Sequence, residues 1–328
     1  MFDFSPCPTF TAPQPVRTAP HAPLQQSDLW LEAADRLGSD ARLDRIGDAT
    51  ALVLRKRVPM IGELALVSRA RLELTPDRAA ALRTTLGASH LVINAETTED
   101  ACALAQAGFH RIVAPRMIAE LRLAPTPDAM AARLMPKWRN RLRHGQSQGL
   151  QIRRRPMQAD PKHWLLRAEA RQSARLWYHP MPPEVIAALA GSAPGAGQVF
   201  TAYHLGRRVA AMLFLRHGRA ATYQIGWMNA QGRNRSAGPA LMWRAMVELQ
   251  QMGVETIDLG AADPDRAAGL ARFKRGTGAE LRALGGSWLD TTWARRKRGR
   301  ARARAVANLR GTQHGHLLAT ATAPFRNA

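Results

Sequence analysis

Residues 231–245 read QGRNRSAGPALMWRA. Two glycines and a proline crowd the approach to a helical run, arginines flank them, and no acid intervenes. Within the stretch, Arg235-Ser236-Ala237-Gly238-Pro239-Ala240 fits the pattern R-x-x-G-x-[GA]. One reading is a plain helix start capped by Ser236. The other is a cradle for a phosphorylated ligand. A glycine lets backbone approach a ligand without a Cβ in the way. The first N–H groups of a helix have no intrahelical partner, and the helix dipole favours an anion there. Pro239 at the first helical position gives up nothing, because that N–H is dispensable. Arg233 and Arg235 add positive charge suited to a diphosphate. The candidate ligand-binding residues are therefore Arg233, Arg235, Ser236, Ala237, Gly238 and Ala240.

The neighbourhood sharpens the choice. Upstream, QVFTAYHL (198–205), RVAAMLFLR (208–216) and AATYQIGWM (220–228) are strand-like runs. Gly206-Arg207 and His217-Gly218 separate them, which predicts an antiparallel meander with tight turns. Downstream come a helix to Gly253, a strand VETIDLGA (254–261), a short helix carrying GLARFKRG (269–276) and a last strand ELRALGGSWL (280–289).

An earlier segment echoes this order. ALRTTLGASHLVINAE (81–96) and VELQQMGVETIDLGAA (247–262) each set helix, glycine and apolar strand, with Gly87 matching Gly253 at an offset of 166 residues. Read as a repeat rather than a coincidence, the chain holds two copies of one module. At that offset Arg69 stands for Arg235 and Leu72 for Gly238, so only the second copy keeps the glycine-bearing turn.

Further strands are expected at 49–57, 62–68, 90–96 and 109–115. Helices are expected at 24–37, from Pro76 to Gly87, from Thr98 to Gly108, through MAARLMPKWRNRLRHG (130–145), at 163–177 and at 184–190. Leu134, Trp138 and Leu142 form an apolar stripe, and from Arg133 to Arg155 there are eight Lys or Arg and no acid.

At 328 residues the chain has room for two modules, and 46% hydrophobic residues suffice for a core. Forty-seven basic residues against 25 acids give a net charge of +22. That balance favours nucleic acid, phosphorylated ligands or an anionic membrane surface as partners. Two cysteines far apart, Cys7 and Cys102, give no metal-ligand spacing and suggest a reducing compartment. No secretory signal or membrane span is evident, so the expectation is a cytoplasmic protein that needs no metal.

The order of meander, pyrophosphate loop, helix, strand, helix and strand over 198–290 resembles the GNAT acyltransferase fold. From Leu24 onward the chain resembles the double-GNAT architecture of FemAB-type aminoacyltransferases and related acetyltransferases. KWRNRLRHGQSQGLQI (137–152) looks like the basic helix and strand joining the halves in that family, and GLARFKRGTGAELRALGGSW (269–288) like its C-terminal "FK…G" segment. The resemblance implies an α/β (α+β) chain of two tandem GNAT-like modules, each a mixed, mostly antiparallel sheet flanked by helices. Residues 1–23 form a proline-rich lead-in, 24–124 a first half without a phosphate loop, 125–290 a second half that binds the donor, and 291–328 a basic tail.

The implied reaction moves an acyl group from acetyl-CoA or another acyl-CoA to an amine acceptor lying between the halves. Direct attack needs positioning and carbonyl polarisation, not a covalent intermediate. Consistently, the sequence offers no Gly-x-Ser-x-Gly elbow and no plausible Cys/His pair. A peptidoglycan-type transferase using aminoacyl-tRNA is the close alternative, although no coiled-coil arm is present. A non-catalytic RNA- or membrane-binding adaptor is a third.

Lys274 matches the family's FK lysine and stands to hold a phosphate or stabilise developing negative charge; otherwise it is a solvated lysine. Tyr223 and Gln224 lie on the strand before the loop, where Gly226 and Trp227 are placed to shape a splay for the donor's pantetheine arm; a core tyrosine is the plainer role. Asp258, mid-strand in an apolar run, is a candidate buried carboxyl of raised pKa, or one satisfied by hydrogen bonds. Asp263 and Asp265 flank Pro264 as acceptor contacts or turn residues. Arg139 and Arg141 face a polyanionic substrate or cover a surface. Arg175, Trp177, Tyr178 and His179 cluster before prolines, where Tyr178 and His179 are candidates for an acceptor pocket. From Thr291 onward the tail has no acid and nine Lys or Arg, a candidate contact for an anionic membrane's inner face or RNA. No stable protein partner is expected.

Overall fold

The computed structural model describes residues 21–60, 62–176 and 178–290. Most of the lead-in and the whole tail expected at 291–328 lie outside the described residues, as does Trp177.

Two sheets organise the chain. The first module begins with a 3-10 turn at Leu24–Gln26 and helix α1 (Asp28–Arg36). It continues with β1 (Asp40–Ile46), β2 (Ala49–Val58), β3 (Gly62–Ser68), α2 (Pro76–Leu86), β4 (His90–Ala95), α3 (Thr98–Gln106), β5 (His110–Val113) and β6 (Met117–Arg122). The second runs through α4 (Pro127–Arg133), α5 (Pro136–Gln146), β7 (Gln151–Pro156), α6 (Trp164–Leu176), α7 (Pro183–Gly191), β8 (Gly197–His204), β9 (Arg207–His217) and β10 (Ala220–Met228). It ends with α8 (Ala230–Asn234), α9 (Ala237–Gln251), β11 (Thr256–Ala261), α10 (Pro264–Gly276), β12 (Glu280–Ala283) and β13 (Gly286–Leu289).

The strand orders are β1-β2-β3-β4-β13-β5 and β12-β6-β11-β10-β9-β8-β7. Apart from the extra edge strand β7, the two are the same arrangement. β4 and β11 stand 166 residues apart, as the helix–glycine–strand echo requires, and Gly87 and Gly253 both take positive φ after the matching helices. Each module's last strand is inserted into the other's sheet: β6 between β12 and β11, β13 between β4 and β5. Strand β6, which precedes the boundary expected at 124/125, thus pairs in the second sheet.

Several expected elements are corrected. The helix through 130–145 is two helices, because Pro136 cannot continue the first and Leu134 before the break is extended. The expected last strand over 280–289 is two strands in different sheets, divided at Gly285-Gly286, where Gly286 has φ +82. β1, β6 and α8 were not anticipated.

Local chemistry accounts for the rest. Thr75, Thr97 and Thr126 each cap a helix through a side-chain oxygen. All six residues of β4 are buried, as expected for a strand covered on both faces. One hydrophobic cluster joins Leu54, Leu66 and Val92 of the first module to Leu165, Leu213 and Ile225 of the second, so the modules share a core. No helix among the described residues is long and apolar enough to cross a membrane.

Candidate active site

The modules differ where their central parallel strands should part. β3 and β4 pair over five positions from Leu64–His90 to Ser68–Asn94, and Arg69 N–H then bonds Asn94 O at 2.8 Å. That slot is closed. β10 and β11 pair only at Ala220–Thr256, Ala221–Ile257 and Thr222–Asp258. At that level β10 bulges between Tyr223 and Ile225, and β11 loses register with β6 between Asp258 and Ala261. The two irregularities lie on the outer sides of the pair, β10 against β9 and β11 against β6, at the level where β10–β11 pairing stops.

Beyond the split, Asn229 N–H bonds Val209 O, which fixes the alternation along β10. Gly226 and Met228 therefore turn their backbone polar groups toward the gap. Side chains take both carbonyls: Gln172 Nε2 donates to Gly226 O at 3.0 Å, and Arg233 donates to Met228 O at 3.0 Å. A Cβ on Gly226 would collide with the Tyr223 hydroxyl, so any side chain there requires Tyr223 to shift.

α9 starts above this gap. Ser236 occupies the cap position in the left-handed region, φ 50°, and makes no capping bond. Its hydroxyl instead shares a 3.1 Å hydrogen bond with His144 of α5. The plain-cap reading is thereby overturned, and the N–H groups of Ala237 and Gly238 find no partner among the described residues. α5 comes this close because Gly145 has no side chain; a Cβ there would sit 2.6 Å from Ser236 O. The turn is more enclosed than expected: Ala237 to Ala240 are buried, and Met228 and Phe273 reach within 3.6 and 3.7 Å of where a Gly238 Cβ would be. Pro239 is the third helical residue rather than the first, a position whose N–H equally lacks an intrahelical partner. Arg235 makes no side-chain hydrogen bond or ion pair among the described residues.

Lys274 is not solvated. It is 0% exposed, donates to Ala261 O at 2.7 Å, and its nitrogen lies 5.9 Å from the centre of the Tyr223 ring. It therefore links the two parted strands. Burial pulls its pKa down to about 7, against the opposing charge of Asp258. Tyr223 is 4% exposed and packs on Phe214; burial pushes its pKa up, aided by Glu169. Gln224 is buried with its side-chain oxygen unpaired.

Glu169 was missed by sequence reasoning. It lies on α6, 5% exposed, and accepts a 2.6 Å hydrogen bond from the Tyr178 hydroxyl. Burial pushes its pKa up to about 7, with the Tyr178 bond opposing. A signal existed: Leu165, Leu166, Ala168 and Ser173 are the other buried residues of α6, which makes Glu169 an acid on a core-facing stripe.

Of the two roles open to Asp258, the structure shows the carboxylate satisfied by hydrogen bonds and not the one of raised pKa. Burial alone would raise its pKa, but the Arg69 guanidinium at 2.5 Å and the Gly260 N–H at 2.7 Å hold it below the usual carboxylate range. Arg69 also binds Glu96 at 2.8 Å, and Arg282 joins Glu96 at 2.5 Å to Glu120 at 3.4 Å. This cluster floors a cleft of about 1100 Å³ between the modules, where Arg71 and Arg122 also stand.

The remaining candidates separate. Arg139 donates to Leu134 O at 3.1 Å at the end of α4. Arg141 and His179 are exposed, as is Arg175, while Trp138 is core. Asp263 caps α10 by accepting from Asp265 N–H at 3.0 Å. Among the described residues, no group of three or more His, Cys, Asp or Glu is placed to hold a metal ion.

Residues 116–275 match the family described as acetyltransferase (GNAT) domain. A crystal structure of FemX is similar, with TM-score 0.63 and 16% identity, covering 82% of this chain and 92% of that one. The C-terminal domain of a lysylphosphatidylglycerol synthetase from Agrobacterium fabrum is similar at TM-score 0.53 and 15% identity, covering 81% and 88%. At these identities the two likenesses show the fold. No curated protein matches the sequence.

Proposed function

We propose, for a chain that carries a GNAT domain in the FemAB-like double form, that the second module transfers an acyl group from an acyl-CoA to an amine by direct attack. The observation that carries this reading is the split beyond Thr222–Asp258, flanked by the unpaired N–H groups of Ala237 and Gly238 on one side and Lys274 on the other. The amide hydrogens and Arg235 suit a diphosphate. The N–H groups of Gly226 and Met228 on the edge of β10 suit the carbonyls of an extended amide-bearing arm laid alongside. Lys274, protonated, opposes negative charge developing on the acyl oxygen.

The first module has no such opening, so it binds no donor in this way. The inter-module cleft lies at the start of β10, six residues of extended strand from Gly226, about 20 Å. The cleft also reaches Asp258, where the split begins, so an acceptor held between the modules can present its reacting end to the split.

Aminoacyl-tRNA is the second donor reading. It is favoured by α5, whose exposed Lys137, Arg141 and Arg143 stand beside the His144 that meets Ser236.

Thermal melting with and without coenzyme A tests the first reading. A ligand that binds only the folded state raises the melting temperature by mass action. The rise should vanish in Gly238→Glu, which puts a carboxylate at the helix start. No rise with coenzyme A or acetyl-CoA, with retention of aminoacyl-tRNA, transfers the assignment to the second reading.

A further inference from the structure

Three oxygens converge on one side-chain nitrogen at the opened edge of β10. Gln172 Nε2 lies 3.0 Å from Gly226 O, 3.3 Å from the Tyr178 hydroxyl and 3.5 Å from Glu169 Oε2. An amide nitrogen carries two protons, so it cannot serve three acceptors well. A primary ammonium carries three. Glu169 and Tyr178 are both more than nine-tenths buried, and no Lys or Arg pairs with Glu169 among the described residues. A carboxyl group buried without a cation is unusual, because its charge is left without compensation.

We propose that the position of Gln172 Nε2 marks the seat of the acceptor's primary amine, and that Glu169 is the base that takes its proton. This rests on the acyl-transfer reading above. The acceptor displaces the Gln172 amide and donates to Gly226 O, Tyr178 Oη and Glu169. One proton passes from the ammonium to the Glu169 carboxylate, and the free amine attacks the donor's acyl carbon. The C–N bond forms and the donor's C–S bond breaks. The second nitrogen proton ends on the departing sulfur, and Glu169 returns its own to solvent. No oxidant or further reactant is required.

The surroundings suit that task. A base works best when its pKa lies near the working pH, and burial has moved Glu169 to about 7. The titratable groups facing it are Tyr178, from the segment after α6, and Tyr223, from β10. Both are held protonated by burial, so neither supplies a competing charge. Gly226 contributes its carbonyl and no side chain, which favours an unbranched amine over a bulky one.

Infrared titration of the carboxyl band, with glycinamide as the amine probe, tests the seat in the full chain. A protonated-carboxyl band should disappear with a midpoint near pH 7, be absent in Glu169→Gln, and move to lower pH with glycinamide. A band that survives in Glu169→Gln, a midpoint below pH 5, or indifference to glycinamide overturns the proposal. With acetyl-CoA and a panel of primary amines, Glu169→Gln should lower kcat about 100-fold or more and remove the acidic limb of the pH profile. Gln172→Ala should lower KM for the amine and leave that limb in place; a Glu169→Gln profile parallel to wild type sinks the assignment. The coenzyme A melting shift should be equal in all variants. Its absence in wild type defeats the donor reading separately, and the infrared result then decides the seat alone.

Discussion

The side-chain nitrogen of Lys274 donates to the carbonyl oxygen of Ala261 at 2.7 Å, on the strand that has parted from β10. The contact places an amine of pKa about 7 in a fully enclosed position. An unfolded lysine titrates near 10.5, so between pH 7 and 10.5 the unfolded chain holds one more proton than the folded one. Wild-type stability therefore rises with pH through that window, by roughly 1.4 kcal/mol per pH unit. Lys274→Met lacks this slope. Its melting temperature should exceed wild type at pH 7 and lose that advantage by pH 10, while transfer falls about 100-fold or more. Melting curves that run parallel from pH 6.5 to 10 are incompatible with a lysine whose pKa burial has lowered to about 7.

Arg69 bridges the two modules. Its guanidinium meets Glu96 from the first module and Asp258 from the second. Arg69→Met leaves the enclosed Asp258 without its ion-pair partner and Glu96 with Arg282 alone, and should cost about 3–5 kcal/mol. The sign of the pH effect follows from Asp258, whose pKa Arg69 holds below the ordinary range. That contribution is present above the unfolded carboxylate pKa and fades as pH falls through the depressed folded value. The gap between variant and wild type should thus be full at neutral pH and narrow on acidification, as denaturant melts at pH 7 and pH 4 would show.

What the sequence disclosed tracks what is local. The meander, the helix caps and the 166-residue echo rest on periodicity, threonines and Gly87 or Gly253, all visible in a short window. Strand exchange was invisible because β6 and β13 are four to six residues long and their partners lie far along the chain. The turn ahead of α9 was singled out through its glycine, yet the residue in the left-handed region is Ser236. Lys274 was found through a resemblance, and its burial could not be read from flanks of Arg272 and Arg275. Which of its two roles Asp258 takes was not legible, because Arg69, 189 residues away, decides its charge. Glu169 was legible in principle, as one acid on an apolar stripe, but basic neighbours masked the pattern.

The exchanged strands give a test of folding. Gly286 has φ +82, and a Cβ there would stand 2.5 Å from Val113 O. Gly286→Val combines backbone strain with a clash at the point where the chain crosses between sheets, and should cost on the order of 3 kcal/mol. Separate fragments 21–124 and 125–290 should each fail to give cooperative melting, because each lacks an interior strand of its own sheet. Mixed, they should regain it. Cooperative unfolding of either fragment alone would show that the exchange is dispensable.

The two donor readings divide over α5. Coenzyme A needs the start of α9 and the edge of β10, and reaches this helix only at His144. Changing Lys137, Arg141 and Arg143 together to glutamate should then leave the coenzyme A melting shift intact. An aminoacyl-tRNA must lay its backbone somewhere, and the acid-free run from Arg133 to Arg155 is the cationic surface adjoining the turn. In that case the triple change weakens tRNA retention at every sequence and flattens its dependence on salt. The logarithmic slope should drop by about 0.7 to 0.9 for each phosphate no longer neutralised. Measuring both responses on the same variant decides the matter. An unchanged coenzyme A shift with salt-insensitive, feeble RNA binding in wild type fixes acyl-CoA as the donor. A steep wild-type salt slope that collapses in the variant, with no coenzyme A shift in either protein, fixes the tRNA ester instead.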